Sequence, residues 1–233
     1  MNPKDPILVK DLFDSVSNRY DFLNDLLSFG LHRLWKKQLL KWLQPSAGEK
    51  WIDLCCGTGD LSLQLARLVS PDGSIIGVDF SSSQILLAKK RAQGDPSLSI
   101  SWLVKDALNT SLPSESFDGV VMAYGLRNLP NPEEGLREVY RLLKSGAKAG
   151  LLDFNHAEEG SKTSLFQRFY LRNIVVPIAS IMGLKDEYKY IEESINCFPN
   201  GSMQEAIALK VGFKDVDYKL LAGGQMGVLL LRR

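Results

Sequence analysis

Apolar positions along the chain change their spacing twice, and each change marks a different kind of element. From Leu8 to Trp42, Leu12, Phe13, Val16, Tyr20, Leu23, Leu26, Leu27, Leu31, Leu34, Trp35 and Leu39 fall at helical intervals with little β-branching. That spacing predicts two or three helices broken near 28–30. After turn residues at 45–48, short apolar runs alternate with amphipathic stretches, giving predicted strands over 51–56, 74–79, 100–104, 117–123 and 149–154 and predicted helices over 61–69, 82–92 and 133–143. Apolar strands set between amphipathic helices make a parallel sheet covered on both faces. Ser81 followed by Gln84 reads as a capping box, and Ser202 followed by Glu205 reads as a second, for a helix that Gly212 ends. A largely helical stretch over about 161–194 precedes that second box. The last apolar runs, 213–221 and 226–231, flank a glycine pair and form an antiparallel hairpin. The expected fold is α/β, a seven-stranded and mostly parallel sheet with a C-terminal antiparallel hairpin. An N-terminal helical arm covers 1–45, the sheet domain 46–233, and a helical insertion about 156–198.

Composition narrows the function classes. The 233 residues are 45% hydrophobic and 24% charged, enough for a sizeable core and far from a disordered chain. Lys plus Arg number 28 against 27 Asp plus Glu, so no global field draws the chain to nucleic acid or acidic lipid. Three cysteines, two of them adjacent, make neither a disulfide framework nor paired metal-ligand spacing. A reducing compartment and no metal are expected. The first ten residues lack both a signal-peptide apolar core and a transit-peptide pattern, which points to the cytoplasm. Gln167, Arg168, Arg172 and Asn173 interrupt the apolar stretch 165–184, so it does not read as a membrane span.

The densest chemistry lies at Asp53-Leu54-Cys55-Cys56-Gly57-Thr58-Gly59-Asp60, a Gly-x-Gly turn where the first strand feeds a helix. Glycine there lets a ligand approach the backbone, and the helix N-terminus adds partial positive charge. A dinucleotide fingerprint needs a third glycine three residues after Gly59, where Ser62 stands. Asp60 adds an anion at the helix start, which suits a neutral or cationic ligand better than a diphosphate. Asp79 closes the second strand, where a carboxylate can accept both hydroxyls of a ribose. Asp106 and Ala107 follow the third strand, where a carboxylate can accept from an adenine amino group and a small side chain leaves room for the ring. Asp53, Gly57, Thr58, Gly59, Asp79, Phe80, Asp106 and Ala107 form the candidate cofactor site. An adenosine with an amino-acid tail and a cationic sulfur, S-adenosylmethionine, matches that set. Cys55 and Cys56 read as small buried hydrophobes on the strand, with reactive thiols as the alternative.

The segment from Tyr20 through Asp21, Asn24, Ser28, Gly30 and His32 to Trp35 resembles the N-terminal signature of the UbiE family, the C-methyltransferases of ubiquinone and menaquinone biosynthesis. Tyr124-Gly125-Leu126-Arg127-Asn128, and Arg141-Leu142-Leu143-Lys144-Ser145-Gly146 leading to Asp153, agree with it, and the resemblance covers about 8–231. It implies the Rossmann-like class I fold of S-adenosylmethionine-dependent methyltransferases. The family usually has Lys-Pro-Gly-Gly where this chain has Lys144-Ser145-Gly146-Ala147, and a Glu with a nearby Ser where it has Asp153 and Asn155. Ala123 replaces a serine that often touches the cofactor, so that contact is not carried over. The paired cysteines and Asp153 are similar to the cyanobacterial and plant branch that methylates the phytylated naphthoquinone precursor of phylloquinone.

The resemblance implies C-methylation of a prenylated naphthoquinol. The electrophile arrives activated, so the protein must align a carbon nucleophile and exclude water. Arg127 is the candidate for stabilising the developing phenolate, with Asn128 as hydrogen-bonding partner and His32 as the group suited to take the proton. His32 has an alternative reading as a residue that packs the arm onto the sheet. Tyr20, Asp21, Asn24 and Trp35 line the acceptor pocket or lock the arm, and Asp153, Phe169 and Tyr170 are further substrate-side candidates. The apolar stretch 165–184 is either a core helix or a groove for an isoprenoid chain, with peripheral membrane contact, at the thylakoid face if the source is cyanobacterial. A nicotinamide oxidoreductase on the same topology, a non-catalytic scaffold of a quinone-biosynthesis complex and a homodimer stay open.

Overall fold

The computed structural model describes residues 28, 30–157, 160, 163, 165, 169, 173 and 185–233. In chain order the described elements are α1 (His32–Leu43), β1 (Lys50–Leu54), α2 (Asp60–Val69), β2 (Ser74–Asp79), α3 (Ser82–Ala92), β3 (Ile100–Val104) and β4 (Phe117–Ala123). They continue as a short 3-10 turn (Leu126–Asn128), α4 (Pro132–Leu142), β5 (Leu143–Phe154), α5 (Lys185–Asn196), α6 (Gly201–Val211), β6 (Asp215–Leu221) and β7 (Met226–Arg232). The seven strands form one sheet in the order β3-β2-β1-β4-β5-β7-β6. The first five pair in parallel, and β7 runs antiparallel between β5 and β6.

Strand alternation decides what each face of the sheet meets. In β1, Ile52 and Leu54 join a core with Val120, Met122, Leu136, Val139 and Ala208, the face covered by α4 and α6. Trp51 points the other way, into a layer with Leu39 and Leu43 of α1 and Leu61, Leu65 and Val69 of α2. Asp53 has the same parity as Trp51, so the alternation itself carries a carboxylate into the face under α2. Gly150 lets α1 sit close on β5, because a Cβ there would lie 2.6 Å from Leu39 Cδ1. The strand order reverses beside β1, with β2 on one side and β4 on the other. Open α/β sheets bind ligands at the carboxyl ends of strands flanking such a reversal.

Three expectations change. The cap of α6 is Asn200, whose Oδ1 accepts from the Met203 N–H at 3.0 Å. Glu205 of the expected capping box instead accepts from the Tyr218 N–H at 3.1 Å. β5 begins at Leu143, not at 149, because its register on β4 steps from Phe117↔Leu143 to Gly119↔Lys148. Lys144-Ser145-Gly146-Ala147, which lies between the expected helix and the expected strand, is the bulge that absorbs this step, with Gly146 at φ 76°. Finally, β1 ends at Leu54, and Cys55 turns to φ 55°, so the two cysteines do not alternate on a strand. The Ser81 cap holds, its hydroxyl accepting from the Gln84 N–H at 3.2 Å. The arm over 8–27 and most of the stretch over 161–184 lie outside the described residues.

Candidate functional site

An open cleft, about 930 Å³ with the solvent space at its mouth included, lies at the carboxyl ends of the central strands. Gly57, Asp79, Phe80, Asp106, Ala107 and Asn128 line it, as the sequence led us to expect. Cys55, Gln84, Leu108, Tyr124, Gly125, Leu129 and Pro130 also line it and were not anticipated. Their signal was adjacency, since most of them flank Asp106, Ala107 and the Arg127-Asn128 pair. The junction is also where backbone conformations are unusual: Cys55, Gly57 and Tyr124 have φ of 55°, 54° and 63°. Non-glycine residues at positive φ concentrate at ligand sites, where the surrounding fold must hold them.

Asp79 is the anchor of this junction. One carboxylate oxygen accepts from the Gly57 N–H at 2.8 Å and the other from the Ser81 N–H at 3.0 Å. It thereby ties the glycine turn after β1 to the start of α3. A carboxylate has about four acceptor sites, enough to serve the loop and the two hydroxyls of a ribose together. Asp106 accepts from the Leu108 N–H at 2.9 Å, which orients its carboxylate at the end of β3. Among the described residues lining the cleft are two carboxylates and no Lys or Arg. That lining suits an adenosine carrying positive charge better than a diphosphate.

A smaller cavity shares Cys55, Gly57 and Tyr124 with the cleft and continues it toward α1 and α2, with Lys36, Asp53, Cys56, Thr58, Asp60, Leu61 and Ala123 on its walls. Lys36 donates to Asp60 at 2.9 Å, and Gln64 adds a hydrogen bond at 3.2 Å. Burial opposes ionisation of Asp60, but the Lys36 ammonium and Gln64 outweigh it and hold this carboxyl below its usual range. Lys36 was missed in the sequence, although it falls one helical turn after His32. Ser62, the residue that broke the dinucleotide pattern, donates to Asp53 at 2.5 Å. Burial raises Asp53 to about 7, against the lowering effects of the Ser62 hydrogen bond and Lys36. Burial also pushes both the Cys55 and Cys56 thiols well up, which keeps them protonated and unreactive.

Asp53 therefore opposes folding at neutral pH. Its folded value near 7 exceeds its ordinary 3.8, so the folded state holds a proton that the unfolded chain releases. Its contribution to stability falls as pH rises from about 4 to about 7 and stays low above that. Asp53→Asn keeps an acceptor for Ser62 and removes the buried charge. Thermal melts are expected to show the variant more stable than wild type at pH 8 and nearly equal at pH 4, with weakened donor binding. An equal shift at both pH values would contradict this.

Several candidates land elsewhere. Arg127 does not line either cavity: its guanidinium, with the side chain 6% exposed, pairs with Asp153 at 2.9 Å and donates to the Tyr124 carbonyl at 3.0 Å. Asp153 also accepts from the Arg127 N–H at 3.0 Å, and the guanidinium stacks 5.1 Å from the Phe154 ring centroid. Asp153 is thus consumed by Arg127 and lines neither cavity. The cause is topological, since the 3-10 turn folds the end of β4 over the end of β5. Asn128 does reach the cleft, donating to the Tyr124 carbonyl at 2.8 Å and accepting from the Tyr190 hydroxyl at 2.9 Å. His32 is buried with Nδ1 2.9 Å from the Ser28 hydroxyl and lines neither cavity, in line with its packing alternative.

Trp35 is half-buried against the α1–α2 layer and lines neither cavity. Thr58 lines the smaller cavity and accepts from Arg91 at 2.8 Å. Gly59 lines neither, and its φ of 81° and a virtual Cβ only 2.5 Å from Trp102 Cη2 tie it to packing instead of ligand approach. Phe169 is helical and exposed. Tyr20, Asp21, Asn24 and Tyr170 lie outside the described residues.

A mostly parallel sheet closed by a reversed hairpin, with a carboxylate-lined crevice at its switch point, defines a Rossmann-like methyltransferase. Solved structures agree on the fold. The SAM dependent methyltransferase from Aquifex aeolicus superposes with a TM-score of 0.62 at 16% identity, covering 84% of this chain and 88% of that one. Phosphoethanolamine N-methyltransferase 2 of Haemonchus contortus, solved in complex with S-adenosyl-L-methionine, gives 0.64 at 16% identity over 85% of this chain and 52% of that one. The ubiE/COQ5 methyltransferase family matches residues 1–230, and the chain belongs to that family. It is 44% identical over 226 residues to the 2-phytyl-1,4-naphtoquinone methyltransferase of Nostoc sp., covering 97% of this chain and 98% of the relative. It is 39% identical over 226 residues to the chloroplastic 2-phytyl-1,4-beta-naphthoquinone methyltransferase of Arabidopsis thaliana, covering 95% and 86%. The protein is a methyltransferase, and S-adenosylmethionine is its methyl donor.

Proposed function

We propose that the chain methylates an unsubstituted ring carbon of a prenylated naphthoquinol, a phytylated one by the names its relatives carry. One observation carries this reading: a single cleft joins Asp79 and Asp106, suited to adenosine, to a wall of Tyr124, Leu129 and Pro130, suited to an apolar ring. When bound, the donor supplies a methyl group already activated on a cationic sulfur. Asp79 would hold the ribose, Asp106 with Ala107 the base, and Asp53 the ammonium of the amino-acid tail. The acceptor must be electron-rich, so the quinol is the substrate and the quinone is not. Asn128 faces the cleft and is the polar side chain nearest the apolar wall in sequence, suited to hydrogen-bond the quinol hydroxyl.

Arg127 acts in this scheme as a positioning residue. Through Asp153 and the Tyr124 carbonyl it fixes the turn that presents Asn128 and Tyr124. The phenolic proton leaves to water in this scheme, since His32 lines neither cavity. A phytyl chain resides in lipid, and Leu165 and Phe169, at 59% and 58% exposure, place apolar surface on the stretch suited to meet it. Peripheral membrane contact, from the cytoplasmic side, is part of the same proposal. No helix among the described residues is long and apolar enough to cross a membrane.

The test is product mass after incubation with methyl-labelled donor and reduced or oxidised demethyl-phylloquinone. The reduced acceptor is expected to gain one labelled methyl on carbon and the oxidised one none. Equal labelling of both would overturn the quinol mechanism, and labelling of neither would overturn the function.

A further inference from the structure

The scheme above leaves one charged group unused. Among the described residues lining the two cavities, Lys36 is the only cation, and its side chain is 10% exposed. α1 carries it over the sheet so that Nζ lies 2.9 Å from Asp60 and 5.9 Å from the centroid of the Tyr124 ring. Tyr124 and Gly57 belong to both cavities, so Lys36 stands where the adenosine cleft passes into the smaller one. An ammonium has three donors, and the contact with Asp60 engages one of them. Asp53, on the wall of the same cavity, is close enough to feel the Lys36 charge. The smaller cavity thus carries an ammonium and a carboxylate on its walls where it continues the nucleoside cleft. That arrangement is complementary to an α-amino acid, which presents one carboxylate and one ammonium on the same carbon.

We propose that Lys36 binds the α-carboxylate of the donor's amino-acid tail, with Asp60 holding the ammonium in place and Asp53 taking the opposite charge. This rests on the methyl-donor reading of the cleft and adds that α1, outside the sheet, completes the donor site. It also gives Asp60 a role at the helix start: it orients a cation and does not itself meet the ligand. A lysine that only tied α1 to α2 would be indifferent to the tail.

The tail decides the test. Calorimetric titration of the full chain would compare S-adenosylhomocysteine with 5′-methylthioadenosine, which keeps the nucleoside and lacks the amino acid. Lys36→Met is expected to weaken S-adenosylhomocysteine by at least about tenfold while moving 5′-methylthioadenosine by less than about twofold. Retained 5′-methylthioadenosine binding also establishes that the variant is folded. Lys36→Arg, which keeps the charge, should restore most of the tail-dependent affinity. The decarboxylated analogue of S-adenosylhomocysteine on wild-type protein gives the same answer without a variant, with a loss of similar size expected. Wild-type protein that binds both ligands while Lys36→Met weakens both equally, or neither, would overturn the Lys36 assignment alone. So would undiminished binding of the decarboxylated analogue. Wild-type protein that binds neither ligand would overturn the donor reading, and this assignment with it.

Discussion

Arg127→Ala is expected to destabilise the fold by about 3–5 kcal/mol and to lower kcat by at least about a hundredfold. Asp153 is 5% exposed on its side chain and has the Arg127 guanidinium at 2.9 Å, so truncation strands a buried carboxylate. The Tyr124 carbonyl loses a donor in the same step. Tyr124, Gly125 and Asn128 all line the cleft, so loosening this turn misplaces the acceptor wall by an amount that alignment-limited chemistry does not tolerate. Chemical unfolding and steady-state rates read the two effects separately. The double variant Arg127→Met with Asp153→Leu removes both charges and should recover most of the stability without recovering turnover. Asp153→Ala alone should lower kcat as Arg127→Ala does and leave the donor's Kd nearly unchanged. Wild-type turnover in Asp153→Ala would mean that Arg127 acts on the acceptor directly and not through its partner.

Asp79→Ala is expected to reduce affinity for S-adenosylhomocysteine by at least about a hundredfold. Two losses combine here. The Gly57 and Ser81 N–H groups lose the acceptors that tie the glycine turn to α3, and a ribose loses its carboxylate. Asp79→Asn keeps one acceptor oxygen and should fall between Ala and wild type. Calorimetry checks both variants, and near-wild-type affinity in Asp79→Ala would remove this residue from the donor site.

Where local pattern and tertiary packing asked for the same thing, the sequence was readable to the residue. β2, β3, β4 and α3 begin and end at the expected positions, because alternation, helical period and the Ser81 cap all agree there. β5 was read six residues short because Lys144-Ser145-Gly146-Ala147 has turn composition, and only pairing with β4 makes it a bulged strand. Asp79, Asp106, Ala107 and Gly57 were legible because strand ends at a parallel sheet's switch point face the crevice wherever the chain goes next. Arg127 was not legible in direction. Its partner Asp153 lies 26 residues away, and nothing near position 127 says that the guanidinium turns inward. The packing demand on Gly59 was not legible, because the ring of Trp102 that requires a glycine there comes from β3. Lys36 went unnoticed because a lysine on a helix ordinarily reads as a solvated one, and only the sheet beneath α1 buries it.

Among the described residues, the crevice offers an adenosine two carboxylates and offers a diphosphate no Lys or Arg. Side-by-side calorimetric titration of the wild-type chain with S-adenosylhomocysteine and with NAD measures this directly. Saturable one-to-one binding of S-adenosylhomocysteine is expected, with no heat from NAD at the same concentrations. Saturable binding of NAD, with none of the adenosyl amino acid, would contradict it.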